Sequence, residues 1–328
     1  MICLLLSACS LPSSDCARAD VFCVGLVTAH GRVDDHGLNQ SAWEGVQQAV
    51  SEGIVDRADF IETTDSRDRA KNIATFANAG YDLIVTVGYA IGDDTRLAAD
   101  EWADIRFLGV DQPQAESPLP NLAGVIFPED QGGFLAGALA ASATQTGRVA
   151  ALCEVETIPE MWRACEGFRA GVQYISPDVL ARVVYHPDHN PDEWFNDPAW
   201  GKEQALINAR IGVDVLYAAG GNTALGALDT AAANHMYVIG ADEDMYYQVK
   251  EADWVANSVL KDAHSIVYIL VAAASQGQFA GGEFGGEYVL AGYHSLPRLI
   301  PPSVQARLEQ IRIGLANGSI QTGVPREP

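Results

Sequence analysis

From residue 21 onward, short runs of β-branched and aliphatic residues alternate with longer stretches in which apolar side chains recur at three- and four-residue spacing. The short runs predict strands at residues 21–28, 59–62, 83–87, 106–110 and 122–127. Between them the helical period predicts helices near 40–52, 67–79, 91–101 and 131–144, several opened by Asn or Asp in the N-cap position. The pattern then starts again, with strands near 149–152, 180–185, 213–218, 237–241 and 254–259 and helices near 161–175, 198–211, 224–234 and 263–276. Parallel strands need a crossover helix, so the alternation predicts an α/β protein of two doubly wound, Rossmann-like lobes, each with a sheet covered on both faces. Ligands of such sheets bind outside the strand carboxyl ends, which makes a hinged cleft between the lobes the expected site.

The expected division is residues 1–20 as leader and linker, 21–127 plus 259–292 as the N-terminal lobe, and 128–258 plus 293–328 as the C-terminal lobe. The chain would cross near Phe127-Pro128, near Ser258 and after Gly292. Residues 281–286, Gly-Gly-Glu-Phe-Gly-Gly, read as a tight turn before a last strand of the first lobe, and the tail from Gly318 reads as disordered. A length of 328 residues fits two domains, since single cores stop growing beyond about 250 to 300 residues.

The first nine residues, MICLLLSAC, are short, apolar and end in Leu6-Ser7-Ala8-Cys9 before a Ser- and Pro-containing stretch. They resemble the lipobox of bacterial lipoproteins, which implies Cys9 as a lipid anchor and an extracytoplasmic protein held on the cell membrane, although no basic residue precedes the apolar segment. The alternative, an apolar first strand, is interrupted by Pro12. Outside the cell two of the six cysteines could pair. Cys153 ends an apolar run and Cys165 lies early in a helix, so either a disulfide or two buried thiols fits the sequence.

Hydrophobic residues make up 48% of the chain and charged ones 19%, which indicates a folded protein. Asp and Glu number 43 against 20 Lys and Arg, a net charge of −23 that argues against nucleic-acid binding. No phosphate-binding glycine loop, nucleophile elbow or metalloprotease helix is present, so the expectation is a protein that is not an enzyme and uses no cofactor. His186 and His189 sit three residues apart in a polar loop, where solvation is a simpler reading than metal ligation.

A more specific pattern begins at Val24-Gly25-Leu26-Val27-Thr28, followed by Asp34-Asp35-His36-Gly37-Leu38-Asn39-Gln40-Ser41-Ala42-Trp43-Glu44-Gly45. It continues through Gly80-Tyr81-Asp82-Leu83-Ile84-Val85-Thr86-Val87-Gly88, Gln131-Gly132-Gly133-Phe134-Leu135-Ala136-Gly137 and Gly167-Phe168-Arg169-Ala170-Gly171. Asp197-Pro198-Ala199, Gly201-Lys202-Glu203, Ala218-Ala219-Gly220-Gly221, Ile239-Gly240-Ala241-Asp242 and Ser258-Val259-Leu260-Lys261 complete it. Order and coverage together resemble the basic membrane protein (Bmp) family, substrate-binding lipoproteins that deliver purine nucleosides to ABC importers. The resemblance implies a type I periplasmic-binding-protein fold, a purine nucleoside as ligand and an ABC permease as partner; a monomer is expected.

Several matched residues fall at strand ends, where a ligand is expected. Asn39 follows the first strand and either caps a helix or offers its amide to a base edge. Gly88 and Tyr89 end the third strand; Asp111 and Asp242 end counterpart strands of the two lobes, and a carboxylate there suits sugar hydroxyls or base amino groups. The resemblance aligns Phe195 with a ring that stacks on the purine, with Trp194 as its neighbour and competitor, places Gly220 and Gly221 at the ribose, and matches Lys261 to a lysine that reaches the sugar. The chain departs from the family at Ala29, where an Asp is usual, and at Leu38, where a Phe is usual; His30 and Trp162 are candidates to compensate. Those departures keep open a nucleobase or another small solute, and with it a ligand-sensing receptor of the same fold. An intracellular regulator or enzyme is the remaining alternative, and no N-terminal DNA-binding helices support it.

Overall fold

The computed structural model describes residues 15–114, 118–187, 194–294 and 299–326. Along the chain run β1 (Cys23–Thr28), α1 (Leu38–Ser51), β2 (Arg57–Ile61), α2 (Arg69–Asn78), β3 (Leu83–Val87), α3 (Gly92–Glu101), β4 (Arg106–Val110) and β5 (Leu122–Ile126). There follow α4 (Glu129–Ala143), β6 (Arg148–Cys153), α5 (Pro159–Ile175), β7 (Leu180–Tyr185), α6 (Pro198–Arg210), β8 (Val215–Ala218), α7 (Gly221–Ala233), β9 (Tyr237–Ala241) and β10 (Val255–Asp262). The chain ends with α8 (Ala263–Ser275), β11 (Gly282–Gly285), β12 (Glu287–Leu290) and α9 (Pro302–Ala316).

Two six-stranded sheets form, ordered β11-β5-β4-β3-β1-β2 and β12-β10-β9-β8-β6-β7. In the first, β1 pairs in parallel with both β2 and β3, and the order reverses there; in the second, β6 pairs in parallel with both β7 and β8. Both sheets therefore repeat one doubly wound pattern. The central strands read as unbroken apolar runs because both faces are covered: every residue of β1, β3 and β8 is buried.

The chain divides into one unit containing residues up to Asp34, Asn39–Ile126 and Ala263–Phe284, and another containing Asp35–Leu38, Phe127–Asp262 and the residues from Gly285. The crossings expected near Ser258 and after Gly292 thus lie at Asp262 to Ala263 and Phe284 to Gly285. Residues 287–290, expected as a last strand of the first lobe, form β12, antiparallel to β10 with Lys261 opposite Tyr288. The reason is packing: the Tyr288 ring meets the Phe127 ring edge-on at 6.1 Å, and Gly286 lies so close to Phe127 that a β-carbon there would stand 2.3 to 3.0 Å from the ring. Conversely, α8 belongs to the first unit, where its amides at Ala263 and His264 donate to the Ser41 hydroxyl.

Two further differences concern the ends. Residues 15–20, expected as linker, are part of the first unit, because Cys16 is buried and disulfide-bonded to Cys23 of β1 with 5.6 Å between α-carbons. The tail beyond Gly318, expected as disordered, is held in the second unit: Ile320 N donates to Gly314 O at 2.9 Å and the Thr322 hydroxyl to Asp130 at 2.6 Å. Helix α9 was not foreseen. A second disulfide joins Cys153 at the end of β6 to Cys165 of α5, with 6.4 Å between α-carbons.

Helices α4 and α5 owe their close approach to four glycines. A β-carbon at Gly133 or Gly137 would overlap the carbonyl of Ala164 or Phe168, and one at Gly167 or Gly171 the carbonyl of Asp130 or Phe134. Each pair is spaced i, i+4 and so lies on one helix face. Two of the most recognisable motifs in the sequence are accordingly a packing seam.

Candidate functional site

In the first unit the sheet order reverses between β1 and β3, and the carboxyl ends of those strands are bound together. Gly88, directly after β3, has φ +106°, and a β-carbon there would stand 3.0 Å from that of Ala29, directly after β1. Its amide donates to Val110 O at 2.9 Å and its carbonyl accepts from the Gln112 amide at 3.1 Å. The Arg69 guanidinium donates to the carbonyls of Ala29 (2.9 Å) and Ala90 (2.8 Å), joining the two strand-end loops. Gln112, Thr86 and Thr95 form a buried polar network beneath them, which sequence reasoning missed.

Asn39 is buried, and its side-chain amide donates to the carbonyls of His30 (3.3 Å) and Arg32 (3.0 Å). With these bonds it shapes the loop after β1 from the first turn of α1. His30 is exposed, Leu38 is partly buried, and Tyr89 is 72% exposed. Asp111, the first residue past β4, has φ +64°, in the left-handed region.

In the second unit Asp242 occupies the matching place past β9, with φ +67°. Among the described residues only five non-glycines have positive φ, and Asp111, Asp242 and Phe195 are three of them. Left-handed backbone costs free energy and concentrates at functional sites, so finding it at the two counterpart strand ends singles them out. Lys261 Nζ lies 3.8 Å from Asp242 Oδ1 and 5.7 Å from the centroid of the Phe127 ring. Its side chain is only 12% exposed, so it is not a solvated surface lysine. Burial, followed by the charges of Asp35 and Asp242, raises the Glu243 carboxyl above its ordinary range.

Phe195 and the start of α7 are built as one piece. Asn222 N donates to Phe195 O at 2.8 Å, the side-chain amide of Asn222 donates to Asn196 Oδ1 at 2.9 Å, and a β-carbon at Gly221 would stand 2.5 Å from Phe195 O. Phe195 is 38% exposed, while Trp194 is partly buried with an indole N–H that has no hydrogen-bond partner among the described residues. Asp197 caps α6, accepting from Trp200 N at 2.9 Å; that bond, with His186 after it, holds its carboxyl below the usual range against the opposing effect of desolvation. Gly220, past β8, has φ +123° and lies against Glu154, the first residue past β6, which sequence reasoning also missed.

His186 is buried, with Nε2 3.4 Å from Asp197 Oδ2 and its ring edge-on to Trp200, so it is not part of a solvated loop. His189 lies outside the described residues, as does Cys9. No group of three or more His, Cys, Asp or Glu arranged to hold a metal exists among the described residues. Trp162, in the first turn of α5, is partly buried, and its neighbour Arg163 pairs with Glu129 at 3.3 Å and Asp130 at 2.6 Å. Within the first unit the structure therefore brings together Gly88 and the loop held by Asn39. Within the second it brings together Phe195 with Gly221, and Asp242 with Lys261.

A family profile described as Bmp, ABC transporter substrate-binding protein PnrA-like, matches residues 22–285. The chain is 27% identical to the CD4+ T-cell-stimulating antigen of Listeria monocytogenes, with 99% of this chain and 95% of that one covered. It is 26% identical to the ABC transporter nucleoside-binding protein BmpA of Lactococcus lactis, over 78% of this chain and 76% of the relative. A solute-binding protein of an ABC transporter system from Conexibacter woesei superposes with a TM-score of 0.76 at 21% identity, covering 93% of this chain and 99% of its own, and so shares the type I periplasmic-binding-protein fold.

Proposed function

The chain belongs to the Bmp family of PnrA-like ABC transporter substrate-binding proteins, and on that footing we propose that it captures a purine nucleoside outside the cytoplasm and presents it to an ABC permease. It binds its solute and does no chemistry on it. The observation that carries this reading is the pair Asp111 and Asp242, both left-handed at counterpart strand ends. A carboxylate in that position offers acceptors to the amino groups and hydroxyls of a nucleoside.

Phe195 supplies a ring for the base; stacking of this kind is worth about 1 to 3 kcal/mol. Asn39, Gly88, Gly220, Gly221 and Lys261 contribute polar contacts, with Tyr89, His30, Leu38, Trp162 and Trp194 at its margins. The solute draws contacts from both units, so binding favours a closed arrangement that the permease reads. Ala29 is buried and carries no carboxylate where the family usually has one, which leaves base preference to the remaining groups. Cys9 carries a lipid that holds this monomeric receptor on the membrane; incorporation of a labelled lipid precursor, and its loss in Cys9→Ala, tests that point.

Thermal-shift screening of nucleosides, nucleobases and sugars tests the ligand class, because a ligand specific to the native state raises its melting temperature. A purine nucleoside is expected to raise it, and Phe195→Ala and Asp242→Ala are expected to abolish the rise. A shift with sugars alone would overturn the assignment.

A further inference from the structure

Glu154 is fully buried, yet among the described residues neither of its carboxyl oxygens has a hydrogen-bond partner. A buried carboxyl without donors is among the costliest arrangements a fold can hold, so its persistence asks for a compensating group. Its position is informative. Glu154 is the first residue past β6, the strand beside which the second sheet reverses its order, and doubly wound sheets bind ligands at that reversal.

The side chain does not point away from this place. A β-carbon on Gly220 would overlap Glu154 Cγ and stand 3.2 Å from Oε1, so the side chain lies across the end of β8, and glycine at 220 is what leaves room for it. The backbone beneath is fixed: Cys153 is bonded to Cys165, its carbonyl accepts from His186 N at 2.9 Å, and Val155 is fully buried. Two cations of this unit are engaged elsewhere, Arg163 with Glu129 and Asp130 and Lys261 with Asp242.

We infer that Glu154 is a ligand-contacting residue whose two carboxyl oxygens accept hydrogen bonds from a pair of adjacent donors on the bound solute. The inference rests on the proposed nucleoside-binding function and deepens it. In a nucleoside, two groups have that chemistry: the vicinal hydroxyls of the ribose, and the neighbouring imino and amino hydrogens of a guanine edge.

The test is calorimetric titration of the full chain and of Glu154→Gln with guanosine, 2′,3′-dideoxyguanosine and inosine, alongside melting curves without ligand. Glu154→Gln keeps the size of the side chain and is expected to weaken guanosine binding at least tenfold, with a melting temperature equal to or above that of the parent. If the hydroxyls are the donors, the loss disappears with the dideoxynucleoside; if the base edge is, the loss persists there and shrinks with inosine, which lacks the amino group. Glu154→Asp, which keeps the charge and withdraws the oxygens, is expected to weaken guanosine binding similarly and serves if the Gln variant does not fold. Parent-like guanosine affinity in a folded variant, with or without a lower melting temperature, overturns the inference and leaves the proposed function standing. Failure of the parent protein to bind any nucleoside overturns both.

Discussion

A residue in the left-handed region divides what its backbone needs from what its side chain does, and Asp242 permits the two to be measured apart. Glycine adopts φ +67° without penalty, whereas alanine does not. Asp242→Gly is therefore expected to stay within about 1 kcal/mol of the parent in stability, and Asp242→Ala to lose about 1 to 2 kcal/mol, while both lose nucleoside binding. Denaturant unfolding and calorimetry separate these outcomes; a glycine variant that binds normally would remove the carboxylate from the site. Asp111 and Asp242 were legible in the sequence as strand-end carboxylates, but their left-handed backbone was not, because it arises from how each strand hands over to the next loop. Glu154 carried no signal at all. In Cys-Glu-Val-Glu-Thr it resembles Glu156, which is exposed, and only tertiary packing distinguishes the two.

At the scale of elements, three devices hold the second unit in shape. The glycine seam between α4 and α5 has no room for a methyl group, so Gly137→Ala is expected to cost about 1 to 3 kcal/mol through overpacking, measured by denaturant unfolding; an unchanged midpoint would show that the helices can separate freely. The disulfide closing the short loop between Cys153 and Cys165 should contribute about 3 kcal/mol, lost in the double serine variant.

The third device is the cap of α6. Asp197 has its pKa lowered in the folded state by the Trp200 amide bond, so its stabilisation is present above the unfolded-state pKa and is lost as pH falls through the folded one. Asp197→Asn keeps the cap and is expected to flatten that part of the acid limb, whereas Asp197→Ala loses about 1 kcal/mol at neutral pH. An acid limb identical to the parent's in the Asn variant would assign the dependence to other carboxyls. Helix and strand periods were readable for α5, β3, β4, β7 and β9. Hydrophobic alternation could not say that β12 joins the second sheet, since a four-residue run marks a strand without naming its neighbour. Cys16 lay in a polar stretch that hid its pairing with β1.

For the whole molecule, two sheets with one repeated winding order place Gly88, Asp111, Glu154 and Asp242 directly past the carboxyl ends of strands in the two units. The family membership was legible because its motifs span most of the chain, yet the strongest of them, the paired glycines of α4 and α5, serve packing. The chain departs from the family pattern at Ala29 and Leu38, next to the proposed ligand contacts, and there the sequence loses its guidance. The most direct measurement is calorimetric titration of the protein with guanosine, inosine and adenosine, followed by chromatographic recovery of the nucleoside. The account predicts saturable binding of one purine nucleoside per chain, with the nucleoside recovered unaltered. No heat with any of the three, or recovery of a cleaved base, would contradict it.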